Sequence, residues 1–157
     1  MKNKLALTCL MSVCLLGHAM AADFPENART VSANEAGKTT VLTNEQVAQG
    51  KKLFVDKCSS CHAGGNTKTN PNVGLSLKTL ALATPRRDNL AGLVDYMRNP
   101  TTYDGEIEIS ELHPSTKSAD VFPEMRNITE DDLHALAGYM LVAPQLNKNW
   151  GGRSDGR

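Results

Sequence analysis

Residues 58–62 read Cys58-Ser59-Ser60-Cys61-His62, and this C-x-x-C-H run decides how the rest of the chain is read. It is the attachment pattern of a c-type haem. Two thiols three positions apart can add to the two vinyl groups on one edge of a porphyrin. The histidine directly after the second thiol is then carried under the ring to ligate iron. A redox C-x-x-C pair sits in a βαβ setting, which is absent here, and a zinc site needs a second ligand pair at motif spacing. Beyond residue 21, Cys58 and Cys61 are the only cysteines. The motif predicts one haem c, covalently attached through Cys58 and Cys61, with His62 as an axial ligand.

The N-terminus indicates the compartment. Met1-Lys2-Asn3-Lys4 is a short basic segment, Leu5 to Leu16 is apolar, and Ala19-Met20-Ala21 supplies a small-x-small cleavage signal. This is the layout of a secretory signal peptide over residues 1–21, cleaved after Ala21 or Ala22. Its apolar part is too short to span a bilayer permanently. The mature chain, residues 22–157, has the length of one domain. The full chain holds 17 basic and 17 acidic side chains, and losing Lys2 and Lys4 leaves a net charge of −2. That balance argues against nucleic acid and against a strongly charged membrane surface. Three Phe, three Tyr and one Trp are few aromatics for a core. A haem supplies the large flat apolar body that the side chains do not.

Residues 22–41 read as a small hairpin, with Thr30-Val31 and Thr39-Thr40-Val41 flanking a turn at Glu35-Ala36-Gly37-Lys38. Thr43-x-x-Gln46 is a capping-box pattern that opens a helix with Val47, Gly50 and Phe54 on one face, running into Cys58. Gly50 is expected to admit a second helix at close range. Gly64-Gly65 and Asn70-Pro71 mark a loop, and Leu75 to Ala83 is apolar without clean periodicity. A short helix is expected over Asp88 to Met97, capped by Asp88, with Leu90, Leu93, Val94 and Met97 in one stripe. Glu106 to Leu112 reads as one or two helical turns. The strongest helix starts at Thr129 and carries Leu133, Leu136, Ala137 and Met140 at i, i+3, i+4 and i+7, ending by Pro144. A tail over 143–157 follows. The fold class is all-α: short helices around a covalently attached haem, with a small N-terminal β-hairpin.

The second axial ligand decides the chemistry. Met97 and Met140 lie on apolar helical stripes, where thioethers fill cores. His134 lies beside the apolar face of the last helix, as a surface residue would. Met125 stands in a Pro-containing loop just before that helix. His113 sits in Glu111-Leu112-His113-Pro114, a polar stretch with no stripe to absorb it. On residues alone, His113 and Met125 both remain.

Gly50 and Phe54 before the motif, with Gly138-Tyr139 on the last helix, resemble the crossed terminal helices of class I cytochromes c. A more specific likeness runs from about residue 42 to 152. Thr67-Lys68-Thr69-Asn70, Pro85-Arg86-Arg87-Asp88-Asn89, Asn99-Pro100-Thr101-Thr102-Tyr103-Asp104-Gly105, Glu111-Leu112-His113-Pro114, Pro123-Glu124-Met125-Arg126-Asn127 and Trp150-Gly151-Gly152 lie in order along the chain. Together they resemble the extrinsic cytochrome c of photosystem II, the cytochrome c-550 family. The resemblance implies bis-histidine ligation by His62 and His113, and a low potential. It also implies a structural rather than enzymatic role: an extrinsic subunit that stabilises the manganese–calcium cluster and its chloride and calcium environment.

The implied partners are the photosystem II core and other extrinsic lumenal subunits. The implied location is the thylakoid lumen, peripheral to the membrane through protein contacts, or the periplasmic face in an organism without thylakoids. Members of the family commonly end in aromatic residues after Trp-Gly-Gly. This chain ends Arg153-Ser154-Asp155-Gly156-Arg157, a departure that touches the tail contact and not the haem site. The competing reading is a soluble c-type electron carrier of the lumen or periplasm. A haem peroxidase, the third class, needs an open iron position, and the sequence supplies no distal acid–base pair.

Overall fold

The computed structural model describes residues 23–152. The signal peptide expected over 1–21 and the polar end at 153–157 lie outside the described residues. One helical turn, α1 (Glu26–Arg29), leads into β1 (Thr30–Ser32), which pairs antiparallel with β2 (Thr39–Val41), Val31 opposite Thr40. The expected hairpin is present, with α1 an addition to it. Asn34 shapes its turn by accepting the Ala36 N–H at 3.0 Å. Gly37 takes φ 81° there, a conformation that costs glycine little. Val31 and, just after β2, Leu42 point into the core. The segment before the hairpin is braced by Arg29 Nε donating to the Phe24 carbonyl (2.8 Å), and the hairpin is fastened to the body by the Ala91 N–H donating to the Ala33 carbonyl (3.1 Å).

Thr43 opens α2 (Asn44–Lys57) as its pattern predicts. Its hydroxyl accepts the Gln46 N–H at 3.1 Å, and the Gln46 side chain accepts the Thr43 N–H at 2.9 Å. Two donors that a helix start leaves free are thereby satisfied. Val47, Gly50 and Phe54 form its buried face. The chain continues through Cys58 into a single turn, α3 (Ser59–His62), and then α4 (Leu77–Ala81), capped by Ser76. α5 (Leu90–Arg98) carries the expected stripe of Leu90, Leu93, Val94 and Met97. Its cap is Asn89, whose side-chain oxygen accepts the Gly92 N–H at 2.9 Å, and not Asp88. Asp88 is instead engaged by the Arg86 guanidinium.

Glu106 to Leu112 is not helical. Thr102 and Asp104 compete for the backbone there: the Glu106 N–H donates to Asp104 Oδ1 and the Ile107 N–H to Thr102 Oγ1, each at 3.1 Å. Such local side-chain acceptors divert N–H groups that a helix needs. The segment forms turns and an isolated bridge between Thr101 and Glu108.

The last helix, α6 (Glu130–Leu146), is the centre of the molecule. Thr129 and Asp132 cap it reciprocally. Beyond the expected stripe, Ala135, Gly138, Leu141, Val142 and Ala143 are buried too, so it is covered on nearly all sides. It also runs two residues past the expected end at Pro144. Proline forfeits one intrahelical hydrogen bond, but in a last turn that loss is small, and the Asn147 N–H still closes onto the Ala143 carbonyl at 2.9 Å.

α2 crosses α6 at Gly50, where a Cβ would stand 1.9 Å from the Ala135 carbonyl oxygen. At the same crossing Phe54 packs on Tyr139 and Trp150, with ring centroids 5.6 and 5.0 Å away. The Trp150 indole N–H donates to the Leu75 carbonyl at 3.1 Å, and the Gly151 N–H to the Gly64 carbonyl at 2.8 Å. Trp150 and Gly151 therefore close over the loop that follows Cys58–His62. This is the all-α fold with a small hairpin that the sequence predicts.

Candidate functional site

The turn of α3 gives the motif its geometry. The Cys61 N–H and the His62 N–H both donate to the Cys58 carbonyl, at 3.1 and 2.8 Å. One helical turn thus sets the two thiols on neighbouring positions of one face, with His62 following directly. Cys58 is half-buried at the end of α2, and Cys61 is exposed. Burial pushes the Cys58 thiol up to about 12, so it is held protonated.

The two ring nitrogens of His62 have separate roles. Thr67, buried in the loop after the motif, donates its hydroxyl proton to the Val73 carbonyl at 2.9 Å. The same oxygen lies 3.1 Å from His62 Nδ1. With its only proton committed, Thr67 accepts there, and Nδ1 carries the hydrogen. Nε2 then presents a free lone pair. Burial lowers the proton affinity of the ring, keeping it neutral and able to ligate.

His113 arrives from the opposite side and is held in a similar way. Its backbone N–H donates to the Ile109 carbonyl at 2.9 Å, and its Nδ1–H to the Pro114 carbonyl at 2.9 Å. Its Nε2 is again the free acceptor. The following turn is stiffened by Ser115, fully buried, whose Oγ accepts the Ser118 N–H at 3.2 Å. Burial, the nearby His62, and Arg87 hold the His113 pKa down to about 4, with burial the largest cause and only the Pro114 hydrogen bond opposing. The edge of Tyr96 packs against the ring, centroid to centroid 5.0 Å.

The His62 and His113 rings stand 6.1 Å apart, centroid to centroid. Two imidazoles sharing one metal, each bonded at roughly 2 Å, stand about 6 Å apart by the same measure. Two neutral rings with free Nε2 atoms at that separation, beside two thiols on one helical turn, fit a covalently attached haem.

The other candidates fall elsewhere. Met97 and Met140 belong to the main core cluster, as their stripes predict, and His134 is exposed. Met125 is buried in a short 3₁₀ turn, Pro123–Met125, apart from that cluster. The ring that faces His62 is His113. Sequence reasoning assigned no role to Thr67, Tyr96 or Arg87. Thr67 and Arg87 did fall within segments that mark the family resemblance, but nothing local in the sequence separates a buried threonine from an exposed one.

Comparison with known proteins agrees across nearly the whole chain. The family model described as the cytochrome c-550 domain matches residues 22–156. Photosystem II extrinsic protein V of Trichodesmium erythraeum is 58% identical over 147 residues, covering 93% of this chain and 91% of that protein. The protein of the same name from Thermosynechococcus vestitus is 54% identical over 157 residues, covering 97% and 96%. The crystal structure of cytochrome c549 superposes with a TM-score of 0.79 at 55% identity, covering 82% of this chain and all of that one. The PsbV2 cytochrome of Thermosynechococcus elongatus follows at 0.67 and 38% identity, covering 78% and 87%.

Proposed function

The chain belongs to the cytochrome c-550 family, a family of cytochromes and not of enzymes, and from that premise we propose that it is a haem-carrying extrinsic subunit of photosystem II. The observation that carries the proposal is the end-to-end likeness to relatives named photosystem II extrinsic protein V, which spans more than nine-tenths of both chains. The protein sits on the lumenal face of the thylakoid membrane, peripheral and held by protein contacts. In keeping with this, no helix among the described residues is long and apolar enough to cross a membrane.

Cys58 and Cys61 would hold the haem covalently, and His62 and His113 would ligate its iron. A bound haem with two imidazoles supplies a one-electron couple with no open coordination site, at a lower potential than a thioether ligand confers. The residues of this chain do the rest. Thr67 and the Pro114 carbonyl hold each imidazole in the tautomer that ligates, and burial keeps both rings neutral. A closed, buried site suits a subunit whose role in the complex is structural, stabilising the manganese–calcium cluster and its chloride and calcium environment.

The test is reconstitution. The mature holoprotein is expected to rebind salt-washed photosystem II and restore oxygen evolution. Failure to bind, or binding without restoration, overturns the assignment, and fast reversible electron exchange with a soluble partner would identify a mobile carrier instead.

A further inference from the structure

Arg87 is the one charged side chain among the buried residues described, with 8% of its surface exposed. Burying a cation is costly unless it is paired or well hydrogen-bonded. Its Nη2 donates to the Thr101 carbonyl and hydroxyl, each at 3.2 Å, and to the Thr102 carbonyl at 2.8 Å. Every one of these acceptors is neutral. Among the described residues, no carboxylate lies within ion-pair distance of it, and the adjacent Asp88 is taken by Arg86.

The guanidinium carbon lies 3.9 Å from the centroid of the Tyr96 ring, a cation–π stack. Tyr96 in turn packs edge-on against His113. A full positive charge that no carboxylate of the described residues cancels is therefore fixed on the Tyr96 ring that packs against His113, in surroundings that screen it poorly. A guanidinium does not discharge under such conditions, whereas a buried ammonium readily does.

We infer that Arg87 is a positioning residue on the His113 side of the bound haem, and that its charge, paired with no carboxylate of the described residues, favours the reduced haem over the oxidised one. This rests on the reading that His113 closes the second face. Adding one electron lowers the charge of the site by one, so a fixed neighbouring cation stabilises the reduced state more than the oxidised. In a two-imidazole site, which by itself runs to low potential, Arg87 sets a floor under that potential.

The experiment is an equilibrium redox titration of the holoprotein, followed in the visible spectrum. At the ambient potential that half-reduces the parent, Arg87→Gln is expected to lower the reduced-to-oxidised ratio about tenfold, or about 59 mV for one electron. Arg87→Lys, read at about pH 6 where the ammonium is retained best, is expected to keep most of the ratio there and to lose it as pH rises and the buried ammonium discharges. Equal shifts in the two variants, or none in either, overturn the inference, because a purely structural role responds to shape and not to charge. If Arg87→Gln does not fold, Thr101→Asp places the missing carboxylate beside the guanidinium. It is expected to lower the ratio as well, and an unchanged ratio again overturns the inference. The near-infrared spectrum of the oxidised parent reports the axial pair separately. Absence of its bis-imidazole band removes the ligand reading, whereas an unmoved potential with that band present removes the Arg87 inference alone.

Discussion

His62 and His113, 51 positions apart in sequence, stand 6.1 Å apart between ring centroids, and each holds its Nδ1 hydrogen on a protein oxygen, which leaves its Nε2 as the free acceptor. On the proposed two-imidazole ligation, removing either ring would leave the other as a lone ligand. The oxidised parent is expected to show a bis-imidazole near-infrared band and the reduced parent to exclude carbon monoxide, whereas His113→Ala is expected to lose the band and to bind carbon monoxide when reduced. A variant that keeps both the parent spectrum and its inertness to carbon monoxide would show that another side chain closes that face.

Thr67 reaches the site only through the Nδ1 hydrogen of His62. Thr67→Val keeps the volume but removes both the acceptor for that hydrogen and the donor to Val73. It is expected to destabilise the holoprotein by about 1–2 kcal/mol. Because an Nδ1 hydrogen bond raises the basicity of a ligating imidazole, its loss is also expected to raise the potential. Thermal unfolding and a redox titration measure the two effects, and Thr67→Ser, which retains the hydroxyl, is expected to keep the potential.

Gly50→Ala tests the helix crossing. Propensity alone favours alanine in a helix by about 1 kcal/mol. The new methyl, however, would sit 1.9 Å from the Ala135 carbonyl oxygen and 2.8 Å from the Tyr139 Cβ, and a backbone atom cannot swing aside. Net destabilisation of about 3 kcal/mol or more is expected, seen as a fall in Tm of roughly 10 °C. A Tm equal to or above that of the parent would show that the helices separate at little cost.

Glu108 and Lys117 bracket the loop that carries His113, 2.7 Å apart on the surface. The hydrogen bond from Lys117, then those from Ser110, lower the Glu108 carboxyl from an ordinary 4.5 to about 2. A carboxylate depressed on folding adds stability above its unfolded value, and that contribution is lost as pH falls toward the folded one. The stability gap between parent and Glu108→Gln is therefore expected to be constant above about pH 5.5 and to close between pH 4.5 and 2. Both groups are exposed, so salt is expected to shrink the gap throughout. Denaturant midpoints across that range read it, and a gap that persists at pH 2 would assign the effect to packing.

Local patterns were the legible part of the chain. The caps at Thr43 and Thr129, the stripe of α5 and the small hairpin all follow from residues within a few positions of one another. The departures occur where a short-range rule meets a competitor. Asp88 loses the cap to Asn89 because Arg86 occupies its carboxylate. Glu106 to Leu112 loses its helix to the side chains of Thr102 and Asp104. Pro144 fails to end α6 because it falls in a turn where one lost hydrogen bond is tolerated.

Cys58, Cys61 and His62 lie within one helical turn, so their chemistry was readable from spacing, and the sequence by itself determined that the chain is built to carry a haem. On residues alone it left His113 and Met125 standing together, because both lie in proline-bearing loops far along the chain. Only the tertiary structure decided which ring stands opposite His62. It likewise decided that Thr67 and the Pro114 carbonyl orient the two rings, and that Arg87 is buried with no carboxylate of the described residues beside it. Ligand distance, tautomer and burial are relations between segments brought together by the crossing of α2 and α6, and spacing along a single strand of sequence does not contain them.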